Sequence, residues 1–577
     1  MGDRVESGVD KEVLVTTRTI PAHKASLKKP LTPQHPHLYH DTMATKRDAA
    51  RNAPSLSRSK TLALAAIVLA TLVACLAWSN AKIFWGDEML EFYSDIKPPA
   101  AILHDQLRNP FSLEPPTYHL LLHGMHSLLP GYPEIASRLP SIVALLVTEI
   151  AIFFLTWSLT RRSTTAVFSA VLPFVLVTID YGPEARVYSL LTACFAIALL
   201  SYRYATASDR SYRSHALIAL ALSIGAGNLL HYYALFSALP ILVAEAWRTA
   251  TRRRADWPLL AALAVGLICF AADLPFLHAL SEFSKHYYYS YETRWGMILL
   301  TYLWYVLHFG IYFVDRFFSR PVLALHILFI LAALIVLATA YTVLRRVAIT
   351  KDNDRSPVLL ALLVGFLLPA WDVFIAHFVT RAYQPRYTLP ACVAIAVLAS
   401  LLANRWHRFL PVATFFVGLT GCIYVVHQLH KARALSEVTL SDTALTPSLV
   451  AAFAAQPDHH LYLQNTARFL VSYAYAPPQI QHAMVLTYDQ DKELAFRNRD
   501  SSSLFARNMM RTTPLPIRPF QAVLAQPGTH LFAVYHEVAE EWIGLELASP
   551  RYHAKIIGHA FGADLVQVSL APAPLSR

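Results

Sequence analysis

Apolar runs of about twenty residues recur along this chain from Leu62 to Val426, and that recurrence decides most of what it can fold into. A helix needs about 20 apolar residues to cross ~30 Å of hydrocarbon, and in lipid every backbone polar group must be satisfied within the protein. The expected fold class is therefore mainly α, a polytopic membrane protein. Hydrophobic residues make up 55% of the 577 positions and charged residues only 15%, which is too apolar for an ordinary soluble protein. Eleven spans are expected, near 61–79, 138–160, 163–180, 185–202, 214–230, 232–247, 257–279, 321–344, 357–379, 387–403 and 409–427. Residues 296–314 are read as a helix at the outer interface or re-entering the membrane.

The net charge of +11 does not point to nucleic acid, because the basic residues sit at the ends of apolar runs and form no stripe interleaved with aromatics. With the N-terminus inside, the loops carrying Arg161 and Arg162, Arg203 to Arg213, Arg248 to Arg254, Arg345 to Arg355, and Arg405 and Arg408 all face inward. That is the positive-inside pattern. Residues 1–60 are polar and basic and read as a disordered cytoplasmic extension, with Met43 as an alternative start. The first apolar run lies too far from Met1 for a signal peptide and reads as a signal anchor. Three domains follow: the extension 1–60, a membrane domain 61–429, and an extracytoplasmic α/β tail 430–577. Strand-like runs at His460–Gln464, Ala483–Tyr488 and Leu531–Tyr535, a helix-like run Glu537–Leu547 and a turn at Phe561–Asp564 support the last. The five cysteines all fall in apolar runs without a CxxC spacing, so neither a disulfide framework nor a metal site is indicated.

The first outer loop, 80–137, is acidic in a basic protein: seven carboxylates between Ala81 and Ser137 face three basic residues. A partly desolvated carboxylate beside a membrane gains proton affinity, which suits a general base acting on a hydroxyl. Asp87, in Phe84-Trp85-Gly86-Asp87-Glu88, is the leading candidate, with Glu88 beside it. A second reading stands next to this one, in which the pair solvates the loop or caps a helix beginning near Glu88.

Further along come Glu114-Pro115-Pro116-Thr117-Tyr118 and Arg138-Leu139-Pro140-Ser141, then Glu184-Ala185-Arg186-Val187-Tyr188, His231-Tyr232-Tyr233 and Pro385-Arg386-Tyr387. The order of these pieces closely resembles the GT-C fold membrane glycosyltransferases of the PMT-like superfamily, which includes protein O-mannosyltransferases, aminoarabinose transferases and galacturonosyltransferase-like enzymes. The resemblance covers about 60–430. It implies an inverting displacement in which an acceptor hydroxyl attacks the anomeric carbon of a sugar carried on polyprenyl phosphate, at the outer face of a cell membrane. Asp87 would take the hydroxyl proton and Glu88 would orient Asp87 or the acceptor. The acceptor class (lipid, glycan or protein) stays open.

The leaving phosphate needs cations in place of water. Arg186 and Arg386 are the first choices, and Lys285 and Arg294, flanking the aromatic run Tyr287–Tyr291, the second. An arginine near a span end also has the alternative of snorkelling to the interface, and the aromatic run that of an interfacial belt. Tyr118, Glu184, Tyr188, His231 and Tyr387 are assigned to the substrate pocket, and Arg138 to holding the loop. Where relatives often carry Lys or His before Pro-Pro, this chain has Glu114. It is read either as a pocket residue helping Asp87 hold a divalent metal or, preferably, as a helix cap. Asp273 and Asp372, inside apolar runs, require partners or a polar cavity.

No Walker-type loop or GxGxxG fingerprint marks the inward loops, which favours a lipid-linked donor over a nucleotide. Two other classes compete. A polysaccharide polymerase or ligase would place its key arginines in a large late outer loop. A transporter or flippase of lipid-linked sugars would show paired repeats and broken midplane helices.

Overall fold

The computed structural model describes residues 58–286, 293–305, 355–442, 460–535, 541–560 and 562–570. The expected span 321–344, the aromatic run Tyr287–Tyr291, the first 57 residues and part of 296–314 lie outside these.

Five helices are long and apolar enough to cross a membrane among the described residues: Arg58–Ala81, Pro133–Thr160, Arg213–Leu230, Trp257–Phe283 and Leu410–Leu440. A sixth span is formed if the pair Ser356–Phe366 and Leu368–Thr380, bent by 52°, counts as one. Pro369 stands at the second position of the latter helix, where its missing N–H costs least, and the bend falls just before it. The expected spans at 163–180 and 387–403 are shorter apolar helices, Ser163–Phe174 and Ala391–Trp406.

The membrane bundle is built around α1 (Arg58–Ala81), α5 (Pro133–Thr160), α6 (Ser163–Val171), α7 (Tyr188–Ala205) and α8 (Arg213–Leu230). Between α1 and α5 run three short helices, α2 (Gly86–Asp95), α3 (Pro99–Arg108) and α4 (Pro116–Leu128). Helix α7 lies between α5 and α8. Its Tyr188, Leu191, Phe195, Leu199 and Tyr202 are buried on one side and Ala193 and Ala196 on the other, so small residues let neighbouring backbones approach. At the end of α8 opposite His231, Arg248 binds Glu245 at 2.6 Å and Asp256 at 2.7 Å, and Arg213 joins Asp256 at 2.5 Å. These arginines, read from sequence as orientation signals, are thus also neutralised in pairs.

The tail is a six-stranded sheet ordered β3-β2-β1-β4-β6-β5, with β1 Leu461–Leu463, β2 Met484–Tyr488, β3 Ile517–Pro519, β4 His530–Val534, β5 Tyr552–Ala560 and β6 Ala563–Leu570. The first four strands are parallel and the last two pairings antiparallel. Parallel strands are covered on both faces, which is why β1, β2 and β4 read as mostly apolar runs, broken only by Thr487 and His530. The long helix Leu410–Asp442 runs straight through the boundary expected at 429–430.

Sequence also did not foresee how the tail is seated. One hydrophobic core contains Phe84, Met89 and Phe111 of the segment between α1 and α5 together with Leu461, Phe469, Leu486 and Leu531 of the tail. The Tyr475 hydroxyl accepts from the Phe84 amide at 2.9 Å and donates to Glu134 at 3.2 Å. Asn508 donates to the Pro110 carbonyl at 2.7 Å. Gly86 is required where α2 meets the tail helix Thr466–Tyr475, since a Cβ there would lie 2.4 Å from the Ala467 Cβ.

Candidate active site

Helix α2 begins with a capping box in which the Trp85 amide donates to the Glu88 carboxylate at 3.3 Å. Residues four apart share a helical face. Asp87, Glu91 and Asp95 therefore form one acidic stripe, while Glu88, one residue on, points elsewhere.

Where Glu88 points is to Arg138. All five N–H donors of this guanidinium are used: Nε and Nη2 bind the two Glu88 oxygens at 2.9 and 2.7 Å, Nη1 binds the Ser79 and Lys82 carbonyls at 2.7 and 2.8 Å, and Nη2 also binds the Ile83 carbonyl at 3.1 Å. The Ala185 amide donates to Glu88 Oε1 at 2.8 Å. Burial alone would raise the Glu88 carboxyl, but the charge of Arg138, with Lys82 and these hydrogen bonds, holds it at about 2. Expected beside Asp87 in the chemistry, Glu88 instead has both oxygens engaged and no exposed surface. The Arg-Leu-Pro-Ser segment lies within the first turns of α5, where Ser141 also donates to the Arg186 carbonyl at 2.8 Å.

Arg186 sits in the turn before α7 and Arg386 in a 3-10 turn, Pro385–Thr388. Both converge on Asp87: Arg386 Nη1 is 3.0 Å from its Oδ2, and Arg186 Nη2 is 3.9 Å from the same atom. Arg186 further binds Glu91 at 2.7 Å, Glu114 at 3.2 Å and the Tyr188 hydroxyl at 2.9 Å. Both guanidinium groups lie over the Tyr188 ring, at 5.3 and 5.5 Å from its centroid, so the negative ring face offsets the repulsion between them. Of the groups on this acidic stripe Asp87 is the accessible one, its side chain 23% exposed against 2% for Glu91.

Behind Glu114, His231 approaches at 3.7 Å through Nε2 while its Nδ1 accepts from the Tyr233 amide at 3.1 Å. Burial lowers the proton affinity of this imidazole. Tyr387 packs against His231, Tyr233 and Tyr188. The structure thus brings Asp87, Glu114, Arg186, Tyr188, His231, Arg386 and Tyr387 together from five separate segments.

A second layer was missed from sequence. Glu91 accepts from Ser112 at 2.8 Å, and His119 Nδ1 lies 2.6 Å from Asp95 and 3.5 Å from Glu91. Burial, only partly offset by Arg186 and His119, raises Glu91 to about 7. Burial also raises Asp95 and lowers His119. The i, i+4, i+8 spacing of Asp87, Glu91 and Asp95 was the available signal.

The helix cap preferred for Glu114 is not there: α4 starts after Pro115 with no side-chain cap, and the Glu114 carboxylate turns to Arg186. Nor does the Asp87–Glu114 pair suit a divalent metal, because the Arg186 guanidinium already stands between them. No group of three or more His, Cys, Asp or Glu is arranged to hold a metal ion among the described residues. Glu184 pairs with Lys82 at 2.9 Å instead of joining the cluster, and Tyr118 is wholly buried beside His119. Lys285 and Arg294 are exposed, and among the described residues no ion pair ties them to Asp87. Asp273 and Asp372 are buried, each with one oxygen lacking a hydrogen bond among the described residues.

Residues 113–276 match a family model described as dolichyl-phosphate-mannose-protein mannosyltransferase. Among solved structures, ArnT from Cupriavidus metallidurans bound to undecaprenyl phosphate superposes with a TM-score of 0.51 at 13% identity, over 87% of this chain and 97% of that one. The chain shares the GT-C fold, and its residues 113–276 resemble the PMT-type glycosyltransferases. The ArnT match takes in most of both the helical bundle and the rest of the chain, as its 87% coverage requires. The Pmt1–Pmt2 complex of S. cerevisiae also matches, at a TM-score of 0.31 and 18% identity over 41% of this chain and 35% of that one, too low to carry an argument. No curated protein matches the chain.

Proposed function

We propose that this protein is an inverting transferase that moves a sugar from a polyprenyl-phosphate donor to an acceptor hydroxyl at the outer face of the membrane, with Asp87 as general base. The observation that supports this most is the meeting of Asp87 Oδ2 with Arg386 at 3.0 Å and Arg186 at 3.9 Å, in the one accessible part of the cluster. Without donor, the two guanidinium groups hold the Asp87 carboxylate. A carrier phosphate is the stronger bidentate partner for them, and its arrival frees Asp87 Oδ2 for a hydroxyl.

The acceptor oxygen then bonds to the anomeric carbon, the bond from that carbon to the phosphate oxygen breaks, its electron pair stays on the phosphate, and the hydroxyl proton passes to Asp87. Arg186 and Arg386 neutralise the phosphate charge that develops. Glu91 and Glu114 fix Arg186, and the Glu88–Arg138 clamp fixes the start of α2. The ArnT structure bound to undecaprenyl phosphate is consistent with such a donor.

The test is transfer from a synthetic polyprenyl-phosphate sugar in proteoliposomes. Asp87→Asn is expected to lose activity by about 10²–10⁴-fold, the usual contribution of a general base, while still binding polyprenyl phosphate. Turnover at the wild-type rate would sink the assignment.

A further inference from the structure

Away from the acidic cluster, a groove of about 430 Å³ opens between the end of α1, the long helix Leu410–Asp442 and the tail helix Thr466–Tyr475. Lys82, Lys431 and Arg468 line it, and no carboxylate does. Trp78, Leu435 and Val471 supply its apolar wall. Arg186 and Arg386 are not among its lining residues, so it is separate from the cations assigned to the donor phosphate.

Helix length sets its depth in the membrane. The 33 residues of Leu410–Asp442 extend about 50 Å at 1.5 Å per residue, against ~30 Å of hydrocarbon. Counted from Leu410, the hydrocarbon is used up after about 20 residues, where His430, Lys431 and Arg433 stand. These cations lie at the end that the positive-inside rule leaves without them. Lys431 and Arg468 are exposed, and neither makes an ion pair with another described residue. Lys82 is shared with Glu184.

From this we propose that the groove binds an anionic phospholipid, with the phosphate against Lys82, Lys431 and Arg468 and the start of its acyl chain against Trp78. A headgroup phosphate at this depth meets three cations and a small apolar wall, the combination that basic pockets beside membrane helices offer to anionic lipids. Two of its walls, the segment Lys82–Gly86 and Ala467, are also those that fix the start of α2.

Native mass spectrometry of the detergent-purified full-length protein, with phosphatidylglycerol or phosphatidylcholine added, tests this. One phosphatidylglycerol is expected to stay bound under conditions that strip phosphatidylcholine, and Lys431→Glu combined with Arg468→Glu is expected to lower its occupancy at least fivefold. Equal retention of the two lipids, unchanged retention by the variant, or displacement by inorganic phosphate alone overturns the proposal. Should charge reversal prevent folding, Lys431→Gln with Arg468→Gln takes its place, and the same outcomes decide.

Discussion

Arg138 and Glu88 form a two-pronged ion pair, 2.9 and 2.7 Å long, in which neither side chain has any exposed surface. The pair joins the ends of α1 and α5 to the start of α2. Removing one partner leaves the other charge buried and unmatched, which costs about 3–5 kcal/mol. Arg138→Met or Glu88→Gln should therefore lower the melting temperature of the purified protein sharply, whereas replacing both by apolar residues should recover part of the loss. Because the Glu88 carboxyl is held at about 2, below its ordinary 4.5, the pair contributes fully above pH 4.5 and fades as the pH falls toward 2. Unfolding followed from pH 7 to pH 3 should show the wild type losing stability only in that acid window.

Arg386 offers a direct test of donor recognition. A hydrogen bond to a charged group contributes about 1.5–3 kcal/mol, so Arg386→Ala should weaken competition by free polyprenyl phosphate roughly 10- to 150-fold. Arg386→Lys keeps the charge but not the planar fork, and should recover only part of the affinity. Equal inhibition constants for wild type and Arg386→Ala would contradict the role.

Glu91 should give the molecule a pH dependence near neutrality. Its carboxyl is raised to about 7, so between pH 4.5 and 7 the folded protein holds a proton that the unfolded chain has released. Stability contributed by this group accordingly falls as the pH rises through that window. Melting temperatures at pH 5 and pH 7.5 should differ more in the wild type than in Glu91→Gln, which cannot titrate.

Gly86→Ala should disturb the seat of the tail, because the new methyl would meet the Ala467 Cβ at 2.4 Å. Overpacking of this kind costs about 1–3 kcal/mol. Combining it with Ala467→Gly should restore most of the stability, as limited proteolysis of the tail would report.

The residues legible in sequence were those whose chemistry is local or whose motifs are compact. Apolar runs marked the bundle, and β1, β2 and β4 stood out as short apolar segments. Asp87, Arg186 and Arg386 stand out in three distant motifs, and the fold brings both arginines within 4 Å of the Asp87 carboxylate. What stayed hidden was pairing. Nothing in the segment Glu114-Pro115-Pro116 reveals that its carboxylate answers Arg186, and a buried His119–Asp95 contact joins residues on two different short helices. The role of Gly86 was invisible too, because the atom it avoids belongs to the tail.

That shared core between the α1–α5 segment and the tail also sets an order of events during synthesis. Phe84 and its hydrogen-bond partner Tyr475 are 391 positions apart. At about 5–20 residues per second, α2 waits on the order of tens of seconds after leaving the ribosome before its apolar side has a cover. The acidic stripe that carries Asp87 is thus among the first parts made and the last to settle, and a chain stopped short of the tail would leave it with no wall to rest on.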